Sequence, residues 1–133
     1  MDINGFRVGY CIYADGEIAK IVSIDSENDI VEVITQQDII LMIHPYETNI
    51  KPIPITQDIL AHCGFNEHGI LYFDINGLIF SFKFNKDHII LCDRFVHPLI
   101  YFWEVKYLHL LQRLYWGLTG KRLDISLINV PPK

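Results

Sequence analysis

The chain has 133 residues, half of them apolar and 13% aromatic, with 20% charged and a formal net charge of −5. That composition excludes a disordered chain, which lacks the apolar surface to fold, and the length suits one domain or two very small modules sharing a core. The charge excludes a strongly basic face of the kind that grips duplex nucleic acid through many phosphates, so a duplex is not expected as partner.

Cys11, Cys63 and Cys92 are odd in number, widely spaced and without a C-x-x-C pair. They read as free thiols in a reducing compartment. The N-terminus MDINGFRVGY has no basic-then-apolar leader pattern. The longest apolar run, IILMI, is far short of the roughly 20 residues of a membrane helix. A cytoplasmic protein of the host cell is expected, with no membrane association.

The first 50 residues read as short strands. RVGYCIYA and EIAKIVSI flank Asp15-Gly16, a hairpin signal because this turn requires positive φ and glycine supplies it. DSEND is the next turn. IVEVI alternates, with Ile30, Glu32 and Ile34 on one face and Val31 and Val33 on the other. DIILMI is a further apolar run, ended by His44-Pro45. Strand number and spacing predict a small, strongly bent antiparallel barrel of SH3 type over residues 1–55.

KPIPIT is then held extended by its prolines. Thr56 predicts a helix N-cap with Asp58 in the first turn, QDILAHC a short helix, and Gly64 its left-handed end with Phe65 packing back. ILYFDI, Asn76-Gly77, LIFSFKF, NKD and HIILC predict a three-stranded meander. Leu78, Phe80, Phe82 and Phe84 share one face of the middle strand, and Ile79, Ser81 and Lys83 the other. A one-sided sheet needs a cover, and VKYLHLLQRLYWGLTG provides it. Leu108, Leu111, Tyr115 and Leu118 recur at helical spacing with Leu114 and Val105 beside them, and Gly120 ends the run. LDISLINV predicts one last strand before PPK. The whole is α+β: one domain over 1–133, with a barrel-like sub-module 1–55 and a helix–meander–helix sub-module 56–133.

His109, Gln112, Arg113 and Trp116 lie three, four and seven apart on the less apolar side of the long helix. One reading makes them a partner-binding surface, since Trp and Arg are enriched at binding hot spots. The other makes them packing residues, with His109 and Gln112 tying down a loop and Trp116 at a seam. His62, Cys63 and His68 resemble metal ligands but lack a second pair, so no metal site is expected. No G-x-S-x-G, phosphate-binding glycine loop or H-E-x-x-H is present, no catalytic residue is assigned, and no cofactor is expected. Arg7, Tyr10, Tyr13, Lys20 and Tyr46 form the alternative set, able to stack and pair with a single-stranded nucleic acid or nucleotide on a small barrel.

Three stretches carry a resemblance that spans most of the chain: Arg7-x-Gly9 with the strand after Asp15-Gly16; Lys51-Pro52-Ile53-Pro54-Ile55-Thr56 leading to Ile59-Leu60 and Cys63-Gly64-Phe65; and Tyr107, His109, Leu111-Gln112, Leu114-Tyr115 and Leu118-Thr119-Gly120. In their order they resemble a group of small uncharacterised proteins encoded by gut anaerobic bacteria and their phages and prophages. The chain departs from the group at Tyr10-Cys11, Leu110, Trp116-Gly117 and Lys121-Arg122. The resemblance brings no activity with it. It implies a phage or mobile-element accessory protein, and with the missing catalytic motifs and the apolar surface candidates Trp103 and Trp116 it predicts a non-enzymatic protein that binds and modulates a host or defence protein. The alternatives are a nucleic-acid-associated small barrel and a nucleotide-binding or sequestering protein. The apolar excess is compatible with a homodimer, through the edge of the meander or the Trp116 stripe.

Overall fold

The structure is a computed structural model and describes residues 6–44 and 50–125. Its elements in chain order are β1 (Cys11–Ala14), β2 (Glu17–Asp25), β3 (Ile30–Thr35), β4 (Ile40–Ile43), β5 (Ile50–Lys51), α1 (Gln57–Ala61), β6 (Ile70–Ile75), β7 (Leu78–Asn85), β8 (His88–Asp93), β9 (Pro98–Phe102) and α2 (Leu108–Thr119). They make a mixed α+β chain with two antiparallel sheets. It divides into a first unit within residues 6–53 and a second within 54–125.

In the first unit the strand order is β4-β3-β2-β1-β5. Asp15 and Gly16 take φ of 50° and 85°, the paired positive values that let a two-residue turn follow the strand twist. Cys11 then faces Lys20 and Ala14 faces Glu17. β3 alternates as its sequence does: Val31, Val33 and Thr35 are buried and the residues between them half-buried. Val31 and Val33 join Phe6, Ile12, Ala19, Ile21, Ile43 and Ile50 in one apolar cluster. A register shift between Ile21 and Ser23 bends β2, as an extra residue in one strand does. Among the described residues the sheet is open, with β4 and β5 at its edges, and no pairing closes it into the barrel that strand spacing predicts.

The second unit begins where Pro54 bridges Tyr107 and the Ile55 N–H donates to the Lys106 carbonyl at 3.0 Å. Thr56 caps α1, its Oγ1 accepting from the Ile59 N–H at 3.2 Å and satisfying a donor the helix leaves free. Gly64, at φ 92°, reverses the chain so that the Phe65 N–H reaches the Leu60 carbonyl and the Phe65 ring is buried.

The meander has four strands, in the order β6-β7-β8-β9. Phe73 lies opposite Phe80, and Leu71 opposite Phe82, which is opposite Leu91. These residues share one sheet face, and α2 lies against it. Leu108 and Leu111 are fully buried, and the Tyr115 ring meets Phe73 and Phe82 edge-on at 5.7 and 6.4 Å. Each such ring contributes about 1.5–3 kcal/mol by leaving water. Gly120, at φ 70°, ends α2 with its N–H on the Trp116 carbonyl. Leu123 to Ile125 form no strand; the rest of the expected final strand lies outside the described residues.

Candidate functional site at the β8–β9 hairpin

The four residues singled out on α2 divide between surface and interior. Arg113 and Trp116 are exposed, Trp116 by 55%. His109 is half-buried and stacks beside Tyr107, with centroids 6.1 Å apart. Desolvation pushes its imidazole below the ordinary value, and the Arg113 charge pushes it further the same way. Gln112 is buried. The helix therefore offers two adjacent exposed side chains rather than a continuous stripe of four.

The alternative set is divided too. Tyr10 packs against the core cluster of the first unit. Tyr13 belongs to the other sheet face, the one that Cys11 and Lys20 share through their register. Arg7 is exposed and donates from Nη1 to the Phe6 carbonyl at 3.1 Å. Tyr46 lies outside the described residues. Tyr10 and Tyr13 thus build no common stacking platform.

Cys11, Cys63 and Cys92 are buried free thiols. Burial pushes Cys11 up to about 12 and raises Cys92, so both stay protonated and poorly nucleophilic near neutrality. The Cys63 thiol lies 3.5 Å from the Ile59 carbonyl, and His68 is exposed. Among the described residues no group of three or more His, Cys, Asp or Glu is placed to hold a metal ion. Nor is any described helix long and apolar enough to cross a membrane.

Among the described residues the most organised exposed surface is a hairpin whose second strand, β9, lies beyond the three predicted meander strands; of its side chains only Trp103 stands out in the sequence. β8 and β9 are joined by a turn built on Asp93. Its Oδ1 accepts from the Phe95 N–H at 2.8 Å and the His97 N–H at 2.9 Å, and Oδ2 lies 3.2 Å from His97 Nδ1. The main chain closes the same loop, the Asp93 N–H donating to the His97 carbonyl and the Val96 N–H to the Asp93 carbonyl. These donors hold the Asp93 carboxyl below the ordinary carboxylate value, the backbone bond from His97 first among them. Val96 sits inside the loop at φ 64°. A β-branched side chain is seldom found in the left-handed region, and holding it there costs on the order of 1–3 kcal/mol.

What this loop presents is apolar. Phe95 stands at its tip, 65% exposed, with Arg94 Cζ 4.7 Å from the ring centroid. Behind it runs β9, the sheet edge, with Leu99, Ile100 and Tyr101 each about half exposed. Tyr101 pairs with Ile90, and Trp103 follows two residues on, on the same face. Their rings stack at 5.4 Å with planes 10° apart. Trp103 also lies 4.2 Å from the ring of His88, which is buried beneath it. His88 Nδ1 is 3.4 Å from Asp87, whose other carboxylate oxygen is 3.8 Å from Lys106 Nζ. An indole 61% exposed is therefore seated on a buried imidazole.

One signal for this hairpin was present in the sequence. An Asp two residues before Phe95 is the pattern in which a carboxylate captures its own backbone and turns the chain. PLIYF hid the strand, because it starts with proline and shows no polar–apolar alternation. No family model matches the chain, no curated protein matches its sequence, and no solved structure matches its fold.

Proposed function

We propose that the chain is a non-enzymatic accessory protein of a phage or mobile element, one that binds and modulates a host or defence protein, and that it docks this partner on the β8–β9 hairpin. The observation that carries the reading is a sheet edge whose side chains, Leu99, Ile100 and Tyr101, are apolar and exposed on both faces, next to Phe95 and Trp103. Exposed apolar groups gathered on one surface mark interfaces more often than solvent-facing surface. The resemblance to phage and prophage proteins supports the accessory role. An SH3-like barrel in the first unit is part of the proposal, resting on five short strands within residues 11–51.

The test uses three full-length baits of verified fold: wild type, Tyr101→Ser with Trp103→Ala, and Arg113→Ala with Trp116→Ala. Each is presented to host lysate, and captured proteins are identified and then titrated as purified partners. The expected result is a partner bound by wild type and by the helix variant but lost from the hairpin variant, with β9 amides protected from hydrogen exchange in the complex. A partner that the hairpin variant retains and the helix variant loses would move the site to α2.

A further inference from the structure

The other sheet has an exposed edge of a different kind. β4 is the outer strand of the first unit and, among the described residues, pairs with β3 alone. Ile39, Ile40, Leu41 and Met42 are 53, 60, 44 and 65% exposed. Edge strands of folded proteins normally carry a charge, a proline or a bulge that keeps other strands away. This one has none of these between Asp38 and His44.

The Thr35 N–H donates to the Ile39 carbonyl at 2.9 Å. The register runs Ile34 opposite Ile40, Val33 opposite Leu41 and Glu32 opposite Met42. In an antiparallel ladder, bonded and non-bonded pairs alternate. Leu41 and Ile43 therefore turn their main-chain groups toward β3, while Ile40 and Met42 point theirs away from the sheet.

We propose that this edge pairs with a second copy of the chain, antiparallel, about a two-fold axis at Leu41. In that register Ile40 lies opposite Met42 of the second copy, and both are residues whose N–H and C=O point outward, so each such pair exchanges both its bonds. Leu41 meets Leu41 of the second copy as a non-bonded pair, on the face that carries the buried Ile43. Asp38 and His44 are both exposed and stand three residues to either side of Leu41. The axis brings each toward the other's counterpart, acid toward imidazole, at both ends of the paired strands. Two-fold pairing asks a surface to complement itself, and the strand meets that demand in hydrogen bonding, apolar character and the polar residues that flank it. A partner of different sequence would need to supply all three.

Sedimentation equilibrium of the full chain across micromolar concentrations tests this. Wild type is expected at about twice the 15.5 kDa chain mass, and Leu41→Lys at the chain mass with an unchanged circular dichroism spectrum. The register is read by cysteine cross-linking. Non-bonded antiparallel neighbours have Cα atoms about 4.5 Å apart, within disulfide reach. Leu41→Cys is expected to form an intermolecular disulfide on mild oxidation, and Ile40→Cys is not. The native thiols are buried and do not compete. A monomeric wild type, a dimer that survives Leu41→Lys, or cross-linking at Ile40→Cys in preference to Leu41→Cys would each overturn the proposal.

Discussion

The two sheets end in edge strands of similar apolar content, and the chain treats them differently. β9 is guarded. It starts at Pro98, which has no N–H to offer, a register shift between Leu91 and Cys92 interrupts its ladder, and its turn is pinned by the Asp93 carboxylate. β4 has no such features, and its ladder with β3 is regular from Ile40 to Ile43. How regular an edge is matters as much as how apolar it is. An irregular edge dressed with aromatic rings discriminates between partners, whereas a regular aliphatic edge accepts a strand like itself.

The most damaging substitution lies in the core under β9. Phe82 is fully buried against the rings of Phe73 and Tyr115. Phe82→Ala is expected to cost about 3–5 kcal/mol in urea unfolding. A cost under 1 kcal/mol would mean that the α2 packing described above does not hold the hairpin's sheet.

Val96→Gly sharpens the contrast at the turn. Relieving the left-handed strain is expected to stabilise the chain by about 1 kcal/mol, less the backbone entropy that glycine loses on folding. If β9 needs its present shape for docking, the same substitution weakens partner binding, and an isothermal titration reads that loss. Met42→Lys probes the other edge. Measured below the concentration at which the chain pairs, its effect on the unfolding free energy is expected within about 0.5 kcal/mol, because the side chain is exposed. A large loss would show that β4 is covered in the folded monomer.

Acid separates the edges with the smallest signal. Because the Asp93 carboxyl is held below its ordinary value, its contribution is intact above the unfolded carboxylate value of about 3.9 and is lost as pH falls through the lower, folded one. Amides of residues 93–97 are thus expected to gain exchange, relative to β4, only below that pH. Asp93→Asn should remove the pH dependence.

Much of the scaffold was legible because it rests on local chemistry. Asp15-Gly16 and Asn76-Gly77 take the positive φ pairs their turn type requires, and Thr56, Gly64 and Gly120 cap as their positions predict. Leu108 and Leu111 are buried as their helical spacing predicts. Gln112 was harder to place, because a polar residue beside a leucine seam is buried or exposed according to what packs against it. β9 was missed since the sequence there carries no alternation, both faces being apolar and exposed. Closure of the first sheet depends on how strongly its strands bend, and strand spacing alone does not determine that. Tyr10 and Tyr13 did carry a usable warning: residues three apart in extended chain fall on opposite sides.

The seating of Trp103 on His88 also gives the protein a built-in optical probe. The chain has two tryptophans, Trp103 and Trp116, both largely in water. A Trp116→Phe variant leaves a single indole, placed at the end of the hairpin strand. Its emission lies at long wavelength while solvent bathes the ring and moves to the blue when another surface excludes that solvent. Occupancy of the hairpin can then be followed in real time with no label attached, whatever molecule arrives there.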